Sequence, residues 1–328
     1  MSAVVVGLGT SVPSTVITNA VLAAGLDTSD AWIRSRTGIA ARHVAEKGVA
    51  TGDLAVEAGA QALKASGQAS ADAVILATMT PDRPCPATAP VVAARLGLES
   101  GLAFDLNAAC SGFVYGLATA TGLLTAGIVS RVLLIGADVM SRTVDPSDRN
   151  TAVLFGDGAG AVVLARGDAG DDGALGPFDL GGDGDLADLL SIPAGGSRRP
   201  ADHQSIDERA HFLQMDGKQV YRQAVAGMAA SCRRVLDSAG LAASDVDHLV
   251  AHQANARILA AVADRLGISE SRRVCNVDRF GNTTAASIPL ALADLAAASP
   301  KPGARVLITA FGAGLSWGSV LLRWPDLG

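Results

Sequence analysis

The sequence predicts an α/β protein made of two pseudo-symmetric halves stacked as five layers, α/β/α/β/α. Three observations carry this. Strand-like runs are continuously apolar instead of alternating, as strands covered on both faces are, and alanine- and glycine-rich helical segments lie between them. The same order of elements occurs twice, at offsets close to 170 residues. A length of 328 residues exceeds one ordinary core, and 49% hydrophobic, 18% charged and 4% aromatic residues with 37 glycines suit closely packed helices and sheets.

Taken in order, MSAVVVGLGTSVP reads as a first strand; it has no positive n-region, so no secretory leader is expected. Residues 62–79, ALKASGQASADAVILATM, read as a helix end, a glycine stop at Gly67, a loop and a strand. They are repeated at 235–252, VLDSAGLAASDVDHLVAH, with Gly240 as the stop. AARLGL (93–98) returns as ADRLGI (263–268), and RVLLIGA (131–137) as RVLITAF (305–311). GAVVLA (160–165) and GSVLLR (318–323) close the halves. Residues 1–165 form the first half and 216–328 the second, both expected to hold mostly parallel sheets. Residues 166–215, rich in Gly, Asp and Pro, have no counterpart in the first half; they read as an inserted loop region, a lid or a tunnel wall.

Several function classes are set aside by composition. No apolar run reaches the ~20 residues of a membrane span. The net charge of −6 argues against a general nucleic-acid binder. Four cysteines without motif spacing, at 85, 110, 232 and 275, suggest reduced thiols and a cytoplasmic setting. The five histidines show no metal-ligand spacing, so no metal is expected. VVVGLGTSVP lacks a third glycine and FGDGAGA runs into a strand, so neither fits a dinucleotide-binding turn.

Catalytic groups in such sheets gather beyond the carboxyl ends of strands. Three candidates stand there: Cys110 in AFDLNAAC before the helix SGFVYGLATATGLLTAG, His252 in HLVAHQAN, and Asn282 in VCNVDRFGNTTAAS before SIPLALADLAA. The pseudo-symmetry would bring them into one pocket. A helix N-terminus is expected to lower the thiol pKa of ~8.5, and His and Asn side chains can both donate to a developing enolate oxygen. Each has an ordinary structural explanation: a packed thiol, a satisfied core imidazole, a turn asparagine. Only their joint placement points to chemistry. Cys232 and Cys275 read as packing residues.

AACSGF, HQAN followed by Arg257 and Ile258, VDRFGNTTAASIP, TSDAWIRSRTGIAARH (28–43), FGDGAGAVVL (155–164) and AFGAGLSWGS (310–319) resemble β-ketoacyl-acyl-carrier-protein synthase III, the initiating ketosynthase of the thiolase superfamily. The resemblance runs end to end and implies a thiolase-like fold and a ping-pong condensation. Cys110 would take an acyl group from acyl-CoA; malonyl-acyl carrier protein would then lose CO₂, with His252 and Asn282 holding the enolate oxygen. The backbone N–H groups of Cys110 and Ala313 would form the oxyanion hole, although the family usually has glycine at the latter position.

The resemblance further implies that Trp32 stacks on the adenine, with Arg36, Arg149 and Thr28 around the nucleotide and its phosphates. It places Asn255 and Gly217 along the pantetheine tunnel, and Cys85, Leu154 and Phe311 at the acyl pocket. Carrier-protein docking is expected at Arg257 and Arg222, with Arg233, Arg234, Arg265, Arg272 and Arg273 extending a basic face. A homodimer is expected and no cofactor is needed beyond the two substrates. Cys85 falls where the family places a residue that closes the partner's acyl pocket, often a phenylalanine. A cysteine there implies a starter longer or more branched than acetyl, as in polyketide-priming relatives. The rivals are an acyltransferase of the same fold that moves the acyl group to an alcohol, an amine or another carrier without decarboxylation, a degradative thiolase, which would need a second catalytic cysteine absent from FGAGLSWG, and a non-catalytic heterodimer half.

Overall fold

The computed structural model describes residues 1–68, 70–98 and 101–327. The first half holds strands β1 (Ser2–Ser11), β2 (Ala73–Ala77), β3 (Leu102–Leu106), β4 (Arg131–Asp138) and β5 (Gly158–Gly167), in the order β1-β5-β4-β2-β3 across one sheet. The second half holds β6 (Leu175–Gly182), β7 (His248–Ala251), β8 (Arg305–Gly312) and β9 (Ser316–Arg323), in the order β7-β8-β9-β6. An isolated parallel bridge from Leu249 to Arg273 takes the place that β3 has in the first sheet. The two sheets thus share one topology.

The helices of the body are α1 (Asp30–Thr37), α2 (Thr51–Ala65), α3 (Ala89–Arg95), α4 (Gly112–Thr125), α5 (Gly217–Ala239), α6 (Ala256–Leu266) and α7 (Ser287–Ala297). Helices α4 and α7 lie between the sheets. Their Phe113, Leu117, Ile288 and Leu292 pack with Leu134 and Val162 of one sheet and Ile308 and Val320 of the other. Helices α2 and α3 cover the first sheet's outer face, where Leu54, Ala58 and Val92 meet Leu76 and Leu133. Helices α5 and α6 cover the second, where Met228, Val235, Leu259 and Val262 meet Leu307 and Leu321. Neighbouring residues such as Leu133 and Leu134, or Leu307 and Ile308, point into different layers, because strand side chains alternate between faces. That is why these strands read as unbroken apolar runs. Each fully buried Leu or Val there contributes roughly 1.5–3 kcal/mol.

Two expectations change. The sheets are mixed and not mostly parallel: β2 runs parallel to β3 and β4, and β7 to β8, but β5 and β9 pair antiparallel to β4 and β8. The cause is connection type. A loop joins β4 to β5 and a tight turn joins β8 to β9, and neither is the helical crossover that a parallel pair requires. The region 166–215 is also not all loop, nor without a counterpart. It contains β6, which pairs antiparallel with β9 and occupies the edge that β1 occupies in the first sheet. The rest of it includes a small ribbon, Leu190–Ser191 against Gln214–Met215.

Candidate active site

Cys110 stands where β3 ends and α4 begins. The chain passes through a turn in which Asn107 Oδ1 accepts the Ala109 N–H at 3.1 Å, and Ala109 adopts φ 45°. A short 3₁₀ turn over Ala109–Ser111 then leads into α4. Opposite lies the turn between β8 and β9. Ser111 Oγ donates to the Ser316 carbonyl at 3.0 Å, and Ser316 Oγ donates to the Ala108 carbonyl at 3.3 Å. The approach is so close that a Cβ on Gly312 would sit 2.8 Å from the Cys110 nitrogen, so glycine alone fits there. Ala313, the next residue, lines the same cavity as Cys110.

His252 extends β7 by one residue, its N–H donating to the Thr309 carbonyl at 2.8 Å. Its Nδ1 lies 2.6 Å from Oγ of Ser287, the first residue of α7. Ser287 Oγ also receives the Gln253 N–H at 3.4 Å. With the Ser287 hydroxyl as donor to Nδ1, the imidazole proton sits on Nε2. Asn282 is fixed through its backbone: its N–H donates to the Leu154 carbonyl at 2.9 Å and its carbonyl accepts from Gly156 at 3.0 Å. Its Oδ1 accepts the Thr284 N–H at 2.9 Å, so the Nδ2 amide is the end available to a ligand.

Cys110, His252 and Asn282 line one cavity of about 690 Å³. All three are buried, and burial sets their charge state. It pushes the Cys110 thiol up to about 12, with the Asp138 carboxylate acting in the same direction. Burial also lowers His252 to about 4. The expected depression of the thiol by the helix N-terminus is thus outweighed by desolvation, which disfavours an isolated thiolate. The resting site holds a thiol and a neutral imidazole.

The remaining candidates divide by location. Leu154, Phe311, Trp32, Arg36, Gly217, Asn255, Arg222 and Arg257 line the cavity. Arg257 stands over the Tyr221 ring at 5.7 Å. Asn255 has a second task, because its Oδ1 caps α6 by accepting the Ile258 N–H at 2.9 Å. Three candidates lie outside the cavity wall. Arg149 stands over the Trp32 ring at 5.4 Å and is tied to the Asp27 carbonyl and carboxylate. Thr28 has a buried Oγ1 without a hydrogen-bond partner. Cys85 is exposed, on a loop that does not reach the cavity of its own chain. Of the basic face, Arg234 and Arg273 are paired with Asp179 and Glu270, and Arg233 and Arg272 donate to backbone carbonyls. Those charges are already engaged locally.

Sequence reasoning missed Ser287 and Thr284, which support His252 and Asn282, and the apolar wall made by Met79, Met140, Phe155 and Leu213. A serine opening a helix hints at capping, but nothing in the letters shows that it reaches a histidine 35 residues earlier. Among the described residues no group of His, Cys, Asp and Glu could hold a metal, and no helix is long and apolar enough to cross a membrane.

The C-terminal model of 3-oxoacyl-[acyl-carrier-protein] synthase III matches residues 236–324, and a second model of the same enzyme matches residues 104–184. The chain is 54% identical to β-ketoacyl-[acyl-carrier-protein] synthase III 3 of Streptomyces coelicolor, over 99% of this chain and 98% of that one. It is 55% identical to β-ketoacyl-[acyl-carrier-protein] synthase III of Pseudomonas aeruginosa, over 99% and 98%. The crystal structure of 3-oxoacyl-(acyl carrier protein) synthase III from Pseudomonas aeruginosa PAO1 superposes with a TM-score of 0.93 at 54% identity, covering 99% of each chain. That of the priming β-ketosynthase from the R1128 polyketide biosynthetic pathway superposes with a TM-score of 0.91 at 34% identity, covering 100% and 97%.

Proposed function

The chain belongs to the β-ketoacyl-[acyl-carrier-protein] synthase III family of acyltransferases, and we propose that it condenses an acyl starter larger than acetyl with malonyl-acyl carrier protein, using Cys110, His252 and Asn282. The observation that carries the reading is the single cavity shared by these three side chains, with Arg36, Arg222 and Arg257 also on its wall.

In the first half-reaction Cys110 Sγ attacks the thioester carbonyl of acyl-CoA. The S–C bond to CoA breaks, and the proton lost by the thiol ends on the departing CoA sulfur. The Cys110 N–H donates to the tetrahedral oxygen, joined by that of Ala313; two such donors aimed at a developing oxyanion are worth roughly 10²–10³ in rate apiece. A covalent intermediate divides one difficult acyl transfer into two easier ones.

In the second, malonyl-acyl carrier protein enters by the same channel. The bond to its carboxylate breaks, CO₂ leaves, and the electron pair passes to the thioester oxygen as an enolate. His252 Nε2–H and Asn282 Nδ2 donate to that oxygen. A neutral imidazole with its proton on Nε2 suits this role, because it donates without supplying a full charge. The enolate carbon then attacks the acyl-cysteine, forming the β-ketoacyl product and returning the sulfur, which takes up a proton.

The arginines at the mouth suit the two anionic partners: planar guanidinium groups bind phosphate oxygens in pairs, and Arg257 and Arg222 would meet an acidic carrier protein. Thr28 and Arg149 would act at the nucleotide from beyond the cavity wall, with Gly217 and Asn255 along the tunnel. The enzyme would work as a homodimer in a reducing cytoplasm, the exposed Cys85 loop reaching a partner's acyl pocket beside Leu154 and Phe311 and leaving it roomier than a phenylalanine would. No metal or organic cofactor has a part in this scheme.

The test is incubation with acetyl- to six-carbon acyl-CoAs and malonyl-acyl carrier protein, reading acyl-Cys110 by mass together with CO₂ and β-ketoacyl product. Preference for four- to six-carbon starters, lost in Cys85→Phe, is expected. Clear preference for acetyl overturns the starter assignment. Acyl transfer without CO₂ favours the non-decarboxylating rival.

A further inference from the structure

The two halves carry the same turn twice. Asn107 Oδ1 accepts the N–H of Ala109, which has φ 45°, and Cys110 follows; Asn282 Oδ1 accepts the N–H of Thr284, which has φ 49°, and Ala285 follows. The copies differ at the left-handed residue. The second has a hydroxyl at the left-handed residue, a conformation that a β-branched side chain rarely adopts unsupported. That hydroxyl donates to Oδ2 of Asp138, at the end of β4, and the same oxygen accepts the Ala285 N–H at 3.2 Å.

Asp138 is completely buried, and nothing about it is left to solvent. Its Oδ1 accepts from the Thr78 hydroxyl at 3.0 Å, the Met79 N–H at 2.8 Å, and the N–H and hydroxyl of Thr80 at 3.2 and 3.0 Å. At the matching end of β8 stands Gly312, with no side chain at all. A carboxylate gripped from one side by the strand end of its own half, and gripping with its other oxygen the Asn282 turn of the opposite half, ties the two halves together at the cavity.

We propose that Asp138 is a positioning residue for Asn282: by holding the Thr284 hydroxyl and the Ala285 N–H it fixes Thr284 in its left-handed conformation, aims the Thr284 N–H at Asn282 Oδ1, and so turns Asn282 Nδ2 towards the substrate. The inference rests on the assignment of Asn282 to the enolate oxygen. It predicts a split between half-reactions, because Asn282 acts only in decarboxylation. Asp138 also opposes ionisation of Cys110 by its charge, so its loss does not impair the thiol.

The experiment measures acyl-Cys110 formation and malonyl-thioester decarboxylation separately in wild type, Asp138→Asn, Thr284→Val and Thr284→Ser. Thr284→Val keeps the shape and removes only the hydroxyl; Asp138→Asn presents an amide N–H₂ where Ala285 also donates. Both are expected to slow decarboxylation roughly 10- to 100-fold, less than the ~10²–10³ lost when an oxyanion donor is removed outright, with acylation as fast as wild type or faster. Thr284→Ser, which keeps the hydroxyl, retains most of the rate. Equal loss in both half-reactions, or no loss in Thr284→Val, overturns the inference. Should wild type take up no acyl group, the assignment of the previous subsection fails. The side-chain amide resonance of Asn282 then decides: Thr284→Val must shift it and Thr284→Ser must not.

Discussion

Replacing Gly312 by alanine tests the contact that sets the proposed nucleophile, Cys110. The added Cβ would lie 2.8 Å from the Cys110 nitrogen, 2.9 Å from the Ser111 nitrogen and 3.2 Å from the Ala108 carbonyl oxygen, where ordinary contact begins at 3.4 Å. All three atoms are backbone, so no rotamer change relieves the overlap. The nucleophile turn and the β8–β9 turn must separate by about 0.6 Å, the shortfall against ordinary contact. Overpacking of this kind costs about 1–3 kcal/mol. A 1 Å misplacement of reacting groups costs ~10² in rate, so a shift of this size slows acylation about 10- to 30-fold. The assay is the time course of acyl-Cys110 formation by intact mass, beside a thermal melt. Gly122→Ala is the control. It faces open space on α4, where removing a helical glycine stabilises by about 0.5–1 kcal/mol and leaves acylation unchanged. Acylation of the Gly312→Ala variant within twofold of wild type, at an unchanged melting temperature, would refute the claim that these two turns are in rigid contact.

Ser287→Ala removes the donor to His252 Nδ1 and leaves a buried acceptor unsatisfied, about 1–3 kcal/mol of stability, so the melting temperature is expected to fall and decarboxylation to slow while acylation does not change. His252 is depressed to about 4, so the folded enzyme keeps a neutral imidazole as pH falls through the range where the unfolded chain protonates. The decarboxylation rate should therefore stay level from pH 8 to about 5, with the acid limb that His252 imposes centred near about 4; a midpoint near 6.5 would mean a solvated ring. Arg257→Ala should raise KM for malonyl-acyl carrier protein several-fold without raising KM for malonyl-CoA, and should flatten the dependence on salt. Equal effects on both donors would place Arg257 in the shared channel and not in docking.

Much of the architecture was legible in the letters because its signals are local. Continuous apolar runs mark strands covered on both faces, and the repeated segments map onto matching elements: β4 on β8, β5 on β9, and the α2–β2 unit on α5–β7. The helix expected from SIPLALADLAA spans Ser287–Ala297. Gly240 ends α5 in the left-handed conformation, as its place after VLDSA suggested. Strand direction was not legible in β5 and β9, because an apolar run looks the same whether its neighbour arrives by a helix or by a turn. β6 was hidden for another reason: LGPFDLGG, with its proline and glycines, carries a turn-like composition, and only the free edge beside β9 makes it a strand.

By itself the sequence determined the layered fold and the family and singled out Cys110, His252 and Asn282 as candidates, since each is written in residues a few positions apart or in a repeat of the whole half. Cys110 and His252 do follow strands, whereas Asn282 follows the short helix Val277–Phe280. Only the tertiary structure decided their chemical state and support. Whether a thiol is ionised, which imidazole nitrogen holds a proton, and which way an amide points depend on burial and on partners such as Ser287, Thr284 and Asp138. Ser287 lies 35 residues from His252, Thr284 is two residues from Asn282 but is held by Asp138 of the opposite half, and desolvation is a property of the closed cavity, not of any stretch of chain.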